Sequence, residues 1–153
     1  LMVEKLGIRN GSMNVELIVD KSNRVWPIDV GPRSGGNMIP DLLGDIFGVD
    51  IAKMSVEAAM GEEIKGDIHE VTGVYATHNL HSNRNGVYQE IIFSPEIEPY
   101  IYRKCLYKKS GDKVEYFDNA SKCLGIVFFK FPNEKSMHVV LDHINELITV
   151  QLQ

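Results

Sequence analysis

The chain has 153 residues, 44% of them hydrophobic and 24% charged, and 16 Lys+Arg against 21 Asp+Glu give a formal charge of −5. This is a globular composition, which excludes a disordered or collagen-like chain, and the length allows a sizeable core without staples. No run approaches the ~18 apolar residues of a membrane span, and an acidic balance without a basic cluster argues against a nucleic-acid surface.

The opening Leu1-Met2-Val3-Glu4-Lys5-Leu6-Gly7 is too short and too charged for a signal peptide, and a first residue other than Met suggests a piece of something longer. Cys105 and Cys123 share no CxxC motif; they read as buried thiols of a cytoplasmic protein. LMVEKLGI looks like the end of a helix that stops at Arg9-Asn10-Gly11. MNVELIVD (13–20) and VWPIDV (25–30) alternate apolar and polar residues, as two antiparallel strands do. A small-residue loop, Gly31 to Gly36, leads into a predicted helix over NMIPDLLGDIF. Asn37 is its expected N-cap, Pro40 lies in its first turn and Gly48 ends it. A second helix is predicted over about 50–60, capped by Asp50.

The second half changes character. Strand-like runs fall at about 72–80, 87–93, 99–108, 113–117 and 123–131, separated by turn residues such as Asn83-Arg84-Asn85-Gly86 and Ser110-Gly111-Asp112. A last helix is predicted from about Glu134 to Val150, on the helical spacing of Met137, Val140, Leu141, Ile144, Leu147 and Ile148. The expected class is α+β, mainly antiparallel sheet with helices packed on it. Two parts are expected, 1–65 and 66–153.

The chemistry concentrates in residues 13–37. With Lys21-Ser22-Asn23-Arg24 as a four-residue loop, Val15 faces Val30, Leu17 faces Ile28 and Val19 faces Trp26, one continuous apolar face. The other face pairs Asn14 with Gly31, Glu16 with Asp29, and Ile18 with Pro27. Glu16 and Asp29 then stand abreast, with Cβ atoms roughly 5 Å apart. Two carboxylates so placed repel. A divalent cation such as Mg²⁺ or Mn²⁺ would offset the repulsion, as would a shared proton, and in an exposed position water would screen it. A one-residue slip in register would separate them. Arg33 follows on the same side, a permanent cation with a planar fork suited to phosphate or carboxylate oxygens. Ser34-Gly35-Gly36-Asn37 then opens onto a helix start, where backbone N–H groups favour an anion.

These segments, NVELIVD, IDVGPRSGGN and MIPDLLGDIFGVDI, resemble the metal-binding end of the ATP-grasp superfamily of ligases, which includes biotin carboxylase and the synthetase halves of carbamoyl-phosphate synthase. The resemblance implies that Glu16 and Asp29 are Mg²⁺ (or Mn²⁺) ligands. It makes Arg33 the catalytic arginine against the transferred phosphate, and places Asn14, Gly31, Ser34, Gly35, Gly36 and Asn37 at the phosphate and substrate. Gly31 stands where the family carries an asparagine. The likeness is specific over about 5–60 and looser over 70–150. It implies the carboxy-terminal portion of an ATP-grasp enzyme that activates a small carboxylate as an acyl phosphate and joins it to an amine. The partner of such a portion is the amino-terminal part of the same enzyme, and the portion alone is expected to hydrolyse no ATP. The alternatives are a non-catalytic binding module of the same fold, and a homodimer surface on the carboxy-terminal strands and last helix.

Other groups are read more plainly. His78 and His81, three apart, are expected to diverge from a strand. Arg84 is read as a solvated hairpin tip. His138 and His143, five apart, suit no shared ligand. The tyrosines and phenylalanines of the strands are read as packing against the last helix.

Overall fold

The computed structural model describes residues 2–153. The chain divides into two compact units, the first running to Val71 and the second covering Thr72–Gln153, a later division than the expected one at residue 65.

The first unit holds a short helix α1 (Met2–Lys5), a two-stranded antiparallel hairpin of β1 (Asn14–Val19) and β2 (Val25–Gly31), and helices α2 (Ile39–Phe47) and α3 (Ile51–Met60). Gly48 ends α2 in the left-handed region, its N–H bonded to the Gly44 carbonyl. Asp50 caps α3 by accepting the Lys53 N–H at 2.8 Å. Both of these helix boundaries agree with the sequence signals. The start of α2 does not. Asn37 and Met38 both take positive φ (50° and 56°), Met38 is the N-cap without a side-chain bond, and the helix begins at Ile39. Asn37 is spent on the turn, not on the cap. None of the described residues of this unit is buried.

The core lies in the second unit. Strands β3 (Val74–Leu80), β4 (Gly86–Phe93), β5 (Ile101–Leu106), β6 (Lys113–Val114), β7 (Gly125–Phe131) and β8 (Ile148–Leu152) form two three-stranded antiparallel sheets, ordered β3-β7-β5 and β6-β4-β8. Leu80, Val127, Phe129 and Phe131 from one sheet meet Tyr88 and Val114 from the other, with Val140 and Ile144 of helices α4 (Glu134–Leu141) and α5 (Ile144–Leu147) completing the cluster. Strand β7 is central and reads as a nearly continuous buried run, the pattern of a strand covered on both sides. Cys105 and Cys123 are free thiols.

The single helix expected over 134–150 is corrected. The chain leaves the helix at Asp142–His143, makes one further turn, and becomes strand β8, paired with β4. Ile148, Val150 and Leu152 alternate, and β-branched Ile148, Thr149 and Val150 favour extended backbone. The expected strand at 113–117 shrinks to two residues, and the one at 99–108 begins only after a 3₁₀ turn at Glu98–Tyr100.

Candidate functional site

The hairpin β1–β2 sets the geometry. Asn14 pairs with Gly31, Val15 with Val30, and Glu16 with Asp29, as the alternation requires. Beyond Glu16 the register shifts by one: Leu17 pairs with Pro27, Ile18 with Trp26 and Val19 with Val25. The loop is therefore three residues, Lys21-Ser22-Asn23, rather than four. Asn23 takes φ 56°, its N–H bonds the Asp20 carbonyl at 2.9 Å, and Asp20 N–H bonds the Arg24 carbonyl at 3.0 Å. A three-residue loop ending in a left-handed residue is a common hairpin closure, and asparagine tolerates that conformation. It leaves one residue too many on β2, and Ile28 takes up the excess as a bulge. Without the bulge Glu16 would face Ile28. With it, the two acids stand abreast.

The expected apolar face is corrected at the tip. Trp26 and Ile18 share the face of Glu16 and Asp29, while Pro27 joins Leu17 on the other. The face is not buried: Leu17 and Trp26 are each 53% exposed and Ile28 60%. Asp20 organises the tip. Its carboxylate accepts from Trp26 Nε1 at 3.1 Å, Arg24 Nε at 2.8 Å, Ser22 N–H at 2.8 Å and Arg24 N–H at 3.0 Å. The Trp26 indole N–H first, with the Arg24 amide, holds the Asp20 carboxyl below the usual aspartate value.

Glu16 and Asp29 are both exposed, and no cationic side chain pairs with either among the described residues. Two hard carboxylates side by side on rigid strands are a donor set that Mg²⁺ or Mn²⁺ takes, leaving an octahedral shell open to phosphate oxygens and water. Among the described residues no third acid, histidine or cysteine joins them.

Arg33 lies just past β2. Its Nη1 donates to the Ser34 carbonyl at 2.9 Å, and its side chain folds against Gly31: a Cβ on Gly31 would stand 3.5 Å from Arg33 Cγ. A Cβ at that distance makes ordinary van der Waals contact, so the place of Arg33 does not itself demand glycine at 31. Arg33 and Ser34 line a cavity of about 350 Å³ together with Ser12 and Ser55, whose hydroxyls are 2.6 Å apart. Ser12 and Ser55 were not apparent from sequence. They lie 43 residues apart in no motif, and only the folding of α3 against the loop before β1 joins them. The α2 start offers less to an anion than its sequence suggested. Ile39 N–H is used by the Gly36 carbonyl at 3.0 Å, Pro40 has no N–H, and Asp41 places a carboxylate in the first turn. Gly35 is a tight fit, since a Cβ there would meet Ile39 Cβ at 3.1 Å.

Several solved structures match nearly the whole chain. Phosphoribosylglycinamide synthetase from Anaerococcus prevotii has a TM-score of 0.75 at 23% identity, covering 99% of this chain and 39% of its own. The L-amino acid ligase from Bacillus licheniformis has a TM-score of 0.76 at 18% identity, covering 99% of this chain and 38% of its own. The chain carries an ATP-grasp fold. A third similar structure, the biotin carboxylase domain of Hydrogenobacter thermophilus 2-oxoglutarate carboxylase, was solved with MgADP, ADP and bicarbonate; it has a TM-score of 0.68 at 15% identity, covering 98% of this chain and 34% of its own. The chain therefore spans roughly two fifths of the ATP-grasp structures it resembles, and the match is to their carboxy-terminal portion. No protein-family model matches the sequence, and no curated protein matches it.

The histidines depart from expectation. Strand β3 ends at Leu80, so His81 lies beyond the strand's alternation, and its ring centroid is 5.7 Å from that of His78. The two converge rather than diverge. His78 is half-buried, and burial first, then the charge of His81, lowers its pKa below 6.5. His143 Nδ1 lies 3.7 Å from Glu146 on the surface. No described helix is long and apolar enough to cross a membrane.

Proposed function

We propose that this chain is the metal- and phosphate-handling portion of an ATP-dependent ligase that activates a small carboxylate as an acyl phosphate and passes it to an amine or similar nucleophile. The observation that carries this reading is the placement of Glu16 opposite Asp29 by a bulge, on an exposed face, with no cation of the protein's own between them. The ATP-grasp fold, shared with ligases of related chemistry, supports it.

In this reading Glu16 and Asp29 hold Mg²⁺ or Mn²⁺, which when bound neutralises charge on ATP phosphate oxygens. Asn14 and Gly31 end the same face, and Ser34, Gly35, Gly36 and Asn37 form the loop beside phosphate and substrate. Arg33 stabilises the phosphoryl group as it moves. Its guanidinium is held by a single bond to a backbone carbonyl, so turning it toward an anion exchanges a bond to a neutral acceptor for one to a charged acceptor. Positioning and charge neutralisation supply the catalysis, and no side-chain nucleophile is needed. In this reading the remaining nucleotide contacts come from an amino-terminal part of the same enzyme, for which the exposed apolar side chains of the hairpin would offer a contact surface.

The test is Mg²⁺-dependent ADP formation by the complete enzyme, screened over amino acids and bicarbonate. Glu16→Gln and Asp29→Asn should each lower turnover roughly a hundredfold or more. Unchanged turnover in both variants refutes the assignment. A second reading, a non-catalytic binding module, draws on Gly31, which supplies no side-chain oxygen to a metal. It is supported if the complete protein binds nucleotide but forms no ADP with any substrate.

A further inference from the structure

The second unit contains a cavity of about 300 Å³ that the ligase reading does not use. It opens where β3 ends, between the loop 81–84 and the stretch Asn145–Val150. One wall is apolar, from Leu80, Ile148 and Val150; the rest is polar, from His78, His81, Ser82, Asn83, Arg84 and Asn145. No carboxylate lines it.

The polar side is held in place. Ser82 is buried, and its hydroxyl donates to the Arg84 carbonyl at 2.8 Å while accepting the Arg84 N–H at 3.2 Å. This fixes the backbone from which Arg84 rises at the rim. The Arg84 side chain is exposed and has no ion pair among the described residues. His81 packs on Phe117 with ring centroids 4.8 Å apart, and its Nδ1–H donates to the Asn79 carbonyl at 2.8 Å. That bond sets the tautomer and leaves Nε2 without the proton in the neutral ring. His78 is already disfavoured as a cation by burial and by His81. An anion beside the two rings relieves that penalty. A guanidinium, two imidazoles and two side-chain amides without an acid form an anion-binding set, and the apolar wall favours a hydrocarbon tail over a bare inorganic ion.

We propose that this cavity is a binding site for a small organic carboxylate with a short branched or aromatic apolar portion. Its carboxylate sits at Arg84 and the His78–His81 pair, and its tail lies against Leu80, Ile148 and Val150. An organic carboxylate fits better than inorganic phosphate because Leu80, Ile148 and Val150 give its hydrocarbon portion an apolar wall.

The experiment is an NMR titration of the intact chain, following the Cε1–H signals of His78 and His81, with isovalerate, isovaleramide and inorganic phosphate as probes. Isovalerate should shift both signals saturably. Isovaleramide, the same tail without charge, should bind at least about tenfold more weakly, and Arg84→Gln should weaken isovalerate by a similar factor. Arg84 is exposed, so this variant folds, and unchanged core methyl signals verify it. No saturable shift with isovalerate, equal binding of the amide, or an unaffected Arg84→Gln variant overturns the proposal. Inorganic phosphate binding more tightly than isovalerate overturns the carboxylate assignment.

Discussion

Neutralising one member of the acid pair should have opposite effects on stability in the absence and presence of magnesium. Glu16 and Asp29 are register partners, which places their Cβ atoms about 5 Å apart. Two unit charges at about 5 Å in water repel by about 0.8 kcal/mol. Both side chains are exposed, so salt at physiological strength reduces this to a few tenths. Glu16→Gln should therefore stabilise the hairpin slightly in EDTA, by about 0.3 kcal/mol. A divalent cation reverses the order. At ten times its Kd, magnesium stabilises the wild type by about 1.4 kcal/mol, and the variant, with one carboxylate, gains little of it. The chain's single tryptophan, Trp26, lies on the same face as the acids. Its fluorescence in a urea titration reports on this hairpin directly. Wild type and variant should exchange rank between EDTA and magnesium chloride. Equal stabilisation of both by magnesium, or of neither, refutes the metal assignment. A variant less stable than wild type in EDTA refutes the repulsion argument.

Three further outcomes are expected. Asp20, held below the ordinary carboxyl value of 3.8 mainly by the Trp26 indole, contributes stability that is present above that pH and is lost as pH falls through its lowered value; acid titration of Trp26 fluorescence should place the transition below 3.8, and Asp20→Ala should abolish it. His78, whose pKa is lowered from 6.5 chiefly by burial and further by His81, contributes stability in full above 6.5 and loses it as pH falls toward the folded value; His78→Leu should flatten the pH dependence of Tm in that window, as scanning calorimetry would show. Gly125→Ala should destabilise the second unit by about 2 kcal/mol or more in chemical denaturation, because the added Cβ would stand 2.5 Å from the Cys105 carbonyl oxygen, a backbone atom of the paired strand that no rotamer change can move.

Much of this was legible before any coordinates. The partnership of Glu16 with Asp29 follows from sequence on a four-residue loop, and the chain reaches the same partners by a three-residue loop and a bulge at Ile28, whereas the Asp50 cap and Gly48 stop mark their helix ends directly. The hairpin tip was not legible. Choosing a three-residue over a four-residue loop depends on Asn23 accepting a positive φ, and the excess residue then has to be absorbed somewhere along β2. Asn37 carries a cap's chemistry but stands one residue before the cap position, Met38, because Gly36 closes a turn onto Ile39. Residues 144–152 satisfy two periods at once, and only the unfilled edge of β4 decides for strand over helix. The cavity at His78 and Arg84 left no local trace, since Asn145 and Val150 reach it from more than sixty residues away in the chain. The roles of Glu16, Asp29 and Arg33 rest on their placement and on the fold, and the assays above decide them.

The hairpin with its acid pair has no interior of its own, whereas strand β7 of the second unit is sealed from water along nearly all its length. Amide protons should record this as a steep gradient, the centre of β7 exchanging only on global unfolding and the β1–β2 ribbon exchanging through small local openings. On the proposed reading, a ribbon so lightly held has a fold that a bound cation would help to set. A cation gripped by the two carboxylates would also still the strands that carry them, so that on this reading its arrival and the ordering of the ribbon would be a single event.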